Sequence, residues 1–315
     1  MGIPDVVTVG EAMALMIARQ PGPLEAVREF ERATAGAELN VAVGLSRLGF
    51  KVGYLSRLGQ DSLGRHLRAF MEAEGLDLRH LRMDEDCPTG FMLKQMVEGG
   101  ADPQVEYFRR GSAASRLSER DMPEQGGDFQ RARVLHLTGI SPALSAGCRE
   151  LVLAMARQAR ADGRLVCFDP NLRPRLWRSP AEMIATVNAL ASQADVVMPG
   201  LAEGRLLTDR HDAVDIAAYY LERGASKVVV KLGPEGAYAA DADGRADTVP
   251  GRPVRAVVDT VGAGDGFAVG VISALLENLP LAAAAARGNA IGARVVQFRG
   301  DCEGLPTRAQ LGLGS

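Results

Sequence analysis

The 315-residue chain is predicted to be a single α/β domain: a mostly parallel central sheet with helices on both faces, plus a small antiparallel β lid. Three observations predict it. From about Val52 onward, short β-branched or apolar runs alternate with longer stretches of helical period, the βαβ rhythm of a parallel sheet covered on both sides. Two regions, roughly 12–34 and 89–110, break that rhythm with strand-like segments that follow one another without a helix between them. No internal repeat or low-complexity linker divides the chain, so residues 1–315 are expected to form one domain, with the two irregular regions as lid segments.

Each element has its own local reason. Val41, Leu45 and Leu48 recur on one helix face before Gly49, and Leu63, Leu67 and Phe70 do so between a capping Asp61 and Gly75. KVGYLS (residues 51–56) is the strand between them. In the lid, the run from Thr89 to Arg110 folds back around a Gly-Gly-Ala-Asp-Pro turn, and the acidic, Gly-rich piece 119–128 is an exposed loop. ARVLHLT and RLVCFD are strands flanking a helix over 149–163, and ADVVMP, KVVVKLG, GAYAAD and VRAVVD are further short strands bounded by Gly, Pro or Asp. A helix opened by GAGD and an Ala-rich helix from Leu281 to Val295 complete the chain.

Composition narrows the function. Apolar residues make up 47% of the chain, enough for a large core, and a net charge of −3 without long runs of one sign offers no footprint for nucleic acid or anionic lipid. Cys87, Cys148, Cys167 and Cys302 are scattered, without metal-ligand or disulfide-framework spacing. The N-terminus lacks a signal-peptide pattern and no stretch reaches the ~20 apolar residues of a membrane span, so a cytoplasmic protein is expected. His66, His80, His136 and His211 have no metal-like spacing either.

The stretch DTVGAGDGF, Asp259 to Phe267, carries the chemistry. A strand running into GAGD and then an apolar-periodic helix presents free backbone N–H groups at a helix N-terminus, where the dipole also favours an anion. Gly262 and Gly264 would let the backbone approach that anion, Ala263 lies between them, and Gly266 would let the helix pack closely. The same residues also suit an ordinary Gly-rich connection with Asp265 as the cap. Neither a GxxxxGK[ST] loop nor a GxGxxG turn is present.

The motif resembles the C-terminal signature of the ribokinase-like carbohydrate kinases. A second segment, AGAELNVAVGLSRLGFKVGYLSRLGQDSLG from Ala35 to Gly64, resembles their N-terminal signature, so the resemblance extends along nearly the whole chain. It implies the three-layer ribokinase-like fold and transfer of the γ-phosphoryl group of ATP to a sugar hydroxyl, with Mg²⁺ and room for a monovalent cation. Asp265 would be the base, with the GAGD turn as anion hole. Gly36, Ala37, Asn40 and Ile140 would contact the sugar, and Glu203 would organise the metal. Lys231, Gly233 and Gly236 of KLGPEG would border the nucleotide, with Asn289 and Asp301 in the segments that close around adenine and substrate. One departure is Gly200, which replaces the asparagine of the NxxE motif. A helix N-terminus is expected to lower the pKa of Asp265, which a loose transition state tolerates.

Arginines bear on which sugar. Arg109 closes the lid run QVEYFRR, and Arg173 follows the strand RLVCFD at its carboxyl end, where ligands of open α/β sheets gather. Two converging arginines suit a carboxylate, although any single Arg in so Arg-rich a chain is better explained as solvated surface. YFRRGSAASRLS, DPNLRPRLW and PGLAEGRLL resemble the family members that act on 2-keto-3-deoxygluconate, with Tyr107 and Arg109 holding the sugar acid from the lid and Phe91 where Tyr is frequent. Asn171 is placed on the nucleotide side and Arg173 between nucleotide and substrate; Asp169 and Asn171 equally suit an Asp-Pro-Asn turn. A sugar acid and ATP are the expected partners, without nucleic acid or membrane, in a homo-oligomer paired through the lid edge or assembled further. A neutral-sugar kinase such as a fructokinase, or a non-catalytic sugar-binding regulator, are the competing readings; an oxidoreductase rests on the α/β rhythm alone.

Overall fold

The computed structural model describes residues 2–97 and 103–314; most of the predicted lid turn, Gly99 to Asp102, lies outside the described residues. The first half runs β1 (Val6–Val9), β2 (Met13–Pro21), β3 (Phe30–Ala35), α1 (Ala37–Arg47), β4 (Val52–Gly59), α2 (Ser62–Ala73), β5 (Leu81–Asp84), β6 (Phe91–Met96), β7 (Val105–Phe108) and β8 (Val134–Thr138). It continues with α3 (Ser141–Leu144), α4 (Ala146–Ala161), β9 (Leu165–Asp169), α5 (Pro180–Ala191), β10 (Val196–Val197), α6 (Leu201–Thr208) and α7 (Ala213–Leu221). The last third holds β11 (Lys227–Lys231), β12 (Gly236–Asp241), β13 (Ala246–Pro250), α8 (Ala263–Leu276) and α9 (Leu281–Val295).

The large sheet has the order β13-β12-β11-β10-β9-β8-β1-β4-β5, parallel from β11 to β5 and antiparallel in the β11-β12-β13 meander. Its interior strand β1, VVTV, is wholly buried, as a strand covered on both faces must be. Period-2 alternation sends Val6, with Val52, Cys167 and Val229, into a core shared with α1, α2, α8 and α9. Val7, with Leu55, Leu135, Val166 and Val228, joins α4, α5, α6 and α7 on the other face. The result is the predicted three-layer arrangement. The second sheet, β3-β2-β6-β7, consists of two antiparallel pairs joined through parallel β2 and β6, around Met13, Leu15, Ala35 and Met92.

Local expectations hold where side chains set them. Asp61 caps α2 by accepting the Gly64 N–H at 2.7 Å, and the Ala-rich helix spans Leu281–Val295 as anticipated. VRAVVD is a correction: residues 254–259 form no strand. Arg255, Ala256 and Val257 are exposed with no strand beside them, and the N–H groups of Val258 and Asp259 both donate to the Val296 carbonyl, at 2.7 and 3.1 Å, beyond α9. The unpredicted strand ADTVP supplies the sheet edge instead.

Candidate active site

One cavity of about 320 Å³ opens where the small sheet faces the carboxyl ends of the parallel strands and the N-terminus of α8. Gly36, Ala37 and Asn40 line it from the start of α1, Tyr107 and Arg109 from the small sheet, and Ile140, Asn171 and Arg173 from the ends of β8 and β9. Glu203, Lys231, Gly262, Gly264, Asp265 and Asp301 complete the predicted residues gathered there. Residues up to 265 positions apart in sequence thus share one wall-to-wall space.

The turn at α8 has the expected geometry. Gly262 is its N-cap with φ +82°, a left-handed conformation that disfavours a side chain, and an added Cβ would stand 3.0 Å from the Asp301 carbonyl oxygen. A Cβ on Gly264 would meet only Lys231 Nζ at 3.7 Å, so there the glycine leaves open space over the backbone. Gly266 packs on α9, within 2.9 Å of Val295 as judged from the position of a Cβ. Ala263 is the first residue of the helix.

Asp265 sits in the first turn of α8, 8% exposed. Asn40 Nδ2 donates to its Oδ2 at 2.7 Å and Asn171 Nδ2 to its Oδ1 at 3.2 Å. Cys302 Sγ lies 3.0 Å from Asn40 Oδ1, and because burial raises that thiol's pKa it stays a donor, which orients the Asn40 amide toward Asp265. The sequence expectation of a lowered pKa is corrected here: burial pushes Asp265 up to about 7, with Asp169 and Asp301 adding to the rise and Asn40 and Arg173 opposing it. Desolvation beside like charges outweighs the helix terminus.

Asn171 takes φ +40° and donates its N–H to Asp169 Oδ1 at 3.2 Å, so the Asp-Pro-Asn turn and the site role coexist in one residue. Asp169 Oδ2 holds Lys231 Nζ at 2.7 Å. Burial would lower the Lys231 pKa, but Asp169 and Glu203 more than offset it and the pKa is raised, so the ammonium stays charged beside the Gly264 backbone. Glu203 accepts the Leu172 N–H at 2.7 Å and the Gly200 N–H at 2.8 Å, which makes Gly200 a backbone donor where the family has asparagine.

Five predicted residues do not line the cavity, Ala263 of the turn among them. Phe91 stacks on Phe108 with centroids 4.6 Å apart; Gly233 and Gly236 sit at the β11–β12 connection; and Asn289 Nδ2 fastens β13 by donating to the carbonyls of Val249 and Pro250 at 3.2 and 3.1 Å. Three site acids had gone unsuspected. Glu11 grips Arg109 through Nε at 2.7 Å and Nη2 at 2.5 Å and accepts the Ser112 hydroxyl, so Arg109 is an already neutralised cation. Glu38 accepts the hydroxyls of Thr138 and Ser141 at 2.6 and 2.8 Å, and burial raises its pKa. Asp259 pairs with Lys94 beneath the turn. Glu38 and Asp259 lie inside the two quoted motifs, which was the available signal, whereas Glu11 lies in neither.

A sequence model of the pfkB family of carbohydrate kinases matches residues 4–308. The chain belongs to that family. A 2-dehydro-3-deoxygluconokinase of Bacillus subtilis (strain 168) is 48% identical over 308 residues, covering 98% of this chain and 94% of the relative. A PfkB protein of Polaromonas sp. JS666 superposes with a TM-score of 0.90 at 50% identity, over 99% of this chain and 100% of that one. An E. coli protein described as a candidate ribokinase II, solved with ATP and Mg²⁺, gives a TM-score of 0.88 at 25% identity, over 98% of both chains. A Vibrio cholerae O395 fructokinase double mutant, in its fructose-, ADP- and potassium-bound form, gives 0.84 at 28% identity, over 98% of this chain and 97% of that one. This pfkB kinase is therefore an enzyme of phosphoryl transfer to a carbohydrate. No helix among its described residues is long and apolar enough to cross a membrane, and no cluster of three His, Cys, Asp or Glu among them forms a ready metal site.

Proposed function

We propose that this kinase transfers the γ-phosphoryl group of ATP to the 6-hydroxyl of 2-keto-3-deoxygluconate, giving 2-keto-3-deoxy-6-phosphogluconate and ADP. The observation that carries the reading is a buried carboxylate, Asp265, at the head of α8, in the same cavity as Arg109 and Arg173. The 48% identical B. subtilis relative, a kinase of the same sugar acid by name, supports it.

The sugar hydroxyl oxygen forms the new O–P bond, the β–γ bridging bond breaks with its electrons leaving on ADP, and Asp265 takes the hydroxyl proton. A pKa near 7 suits a base working near neutral pH. The backbone of Gly262, Ala263 and Gly264 would form the anion hole for the phosphoryl oxygens, with Lys231 beside Gly264. Each Glu203 oxygen accepts one backbone N–H, which leaves acceptor capacity for the water shell of a magnesium ion. Bound magnesium neutralises charge on the phosphates. Gly36, Ala37, Asn40 and Ile140 shape the sugar pocket, and Asn171 and Arg173 stand between sugar and nucleotide. Gly233, Gly236 and Asn289 border the nucleotide beyond the cavity. A homodimer through the small sheet is the assembly we favour, since β3 and β7 are its edges and Tyr107 and Phe108 are each 47% exposed.

A second reading has one observation behind it: because Glu11 neutralises Arg109, the pocket is less cationic than two free arginines would make it, which suits fructose. ATP consumption with Mg²⁺, offering 2-keto-3-deoxygluconate and fructose at matched concentrations, decides between them. Preference for the acid is expected; preference for fructose would keep the kinase and discard the carboxylate clamp.

A further inference from the structure

Lys94, midway along β6, is 2% exposed, with its ammonium on the carboxylate of Asp259 and 3.3 Å from that of Asp301. A buried charge is tolerated only when paired, and here two buried acids share one ammonium. Both acids frame the phosphate turn. Asp259 opens DTVGAGD, and its Oδ1 accepts the Val261 N–H at 3.0 Å. Asp301 lines the cavity, and its carbonyl closes against Gly262. Burial and the charge of Asp259 raise the Asp301 pKa while Lys94 opposes the rise, so removing the ammonium would push the Asp301 carboxyl further up. Lys94 therefore ties a strand of the small sheet to the two segments that hold the anion hole.

We propose that Lys94 is a positioning residue whose ammonium acts as a built-in cation for the anion-hole turn, so that this protein needs no added monovalent cation. The Vibrio fructokinase structure holds potassium; here the ammonium of Lys94 already pairs with both buried carboxylates that bracket the turn. The inference rests on the kinase reading for its turnover arm only.

Wild type and Lys94→Met, which keeps the stem and removes the charge, are compared in choline, potassium and ammonium chloride at equal ionic strength, by thermal melting and by ATP-dependent turnover of 2-keto-3-deoxygluconate. Wild type is expected to melt at one temperature and turn over at one rate in all three salts. In choline the variant should melt on the order of 5–10 °C lower and lose roughly 10²-fold in kcat, with KM changing less. Potassium or ammonium should restore both melting temperature and kcat. Selective activation or stabilisation of wild type by potassium overturns the proposal, as does a folded variant that keeps its turnover in choline or fails to respond to either cation. If the variant does not fold, the wild-type salt comparison decides alone. Absence of wild-type turnover in every salt would refute the kinase reading instead, and melting would still test Lys94.

Discussion

Replacing Asn40 with Leu removes the shortest donor to Asp265, the 2.7 Å bond from Nδ2, while nearly conserving side-chain shape. A hydrogen bond to a charged group contributes about 1.5–3 kcal/mol, and about 1.36 kcal/mol corresponds to one pKa unit. Losing it should lift Asp265 from about 7 to roughly 8–9. The base must be ionised to accept a proton, so wild-type kcat/KM should fall below pH 7 and level off above it. In Asn40→Leu the ionised fraction at pH 7 drops from about one half to between about a tenth and a hundredth, a loss of roughly 5–50-fold in kcat/KM that largely reverses by pH 10. Initial rates from pH 6 to 10, read as kcat/KM because that quantity reports the free enzyme, provide the test. A uniform loss at every pH, with the acid limb unmoved, would show that Asn40 serves the sugar alone and that its coupling to Asp265 is wrong.

Other outcomes follow from the same geometry. Asp265→Asn should cut turnover by about 10²–10⁴ and yet raise Tm at pH 8. The folded-state pKa is raised, so this group's stabilisation is complete below about pH 4 and is lost as pH rises through about 7; the variant's gain should vanish in melts near pH 4. Gly262→Ala, at φ +82° and 3.0 Å from the Asp301 carbonyl, should lower stability by about 1–2 kcal/mol in chemical denaturation. Gly264→Ala should leave stability nearly unchanged and raise KM for ATP, because its added methyl meets open space where the phosphate belongs. Arg173→Ala should weaken binding of the sugar acid more than of fructose, by roughly 10-fold or more in KM, and by more than Arg109→Ala does, since Arg109 already spends Nε and Nη2 on Glu11.

Local sequence made part of this site legible. The turn GAGD, the glycine at 36 and the Asp61 cap act over a few residues, and their geometry is written in those residues; the cap of α8 is Gly262 and not the Asp265 that the sequence offered. Contacts between distant residues were not legible. Glu11 meets Arg109 across 98 positions, and Lys94 meets Asp301 across 207, so no spacing rule connects them. VRAVVD shows the complementary failure: its β-branched composition suits a strand, but a strand exists only beside a partner edge, and the chain there spends its N–H groups on Val296 instead. The adjoining ADTVP, with Asp and Pro, pairs because the hairpin with GAYAAD brings it to the edge of the sheet.

The electrostatics of the cavity follow from which acids were given cations. Glu11 has Arg109, Asp169 has Lys231, and Asp259 with Asp301 shares Lys94. Glu38 is held by hydroxyls and Asp265 by amides, and in both, burial drives the pKa upward. Each pairing has a use in a site that must admit a highly charged nucleotide: a paired acid adds little net repulsion, and an unpaired one can take up a proton. Asp265 is thereby poised near neutrality, able to stay protonated while the anionic substrate enters and to accept a proton from the sugar hydroxyl once ionised. Its position was given by the turn that precedes it, but its basicity comes from Asp169, Asp301 and the packing that excludes water. A helix N-terminus alone would have made Asp265 a weaker base.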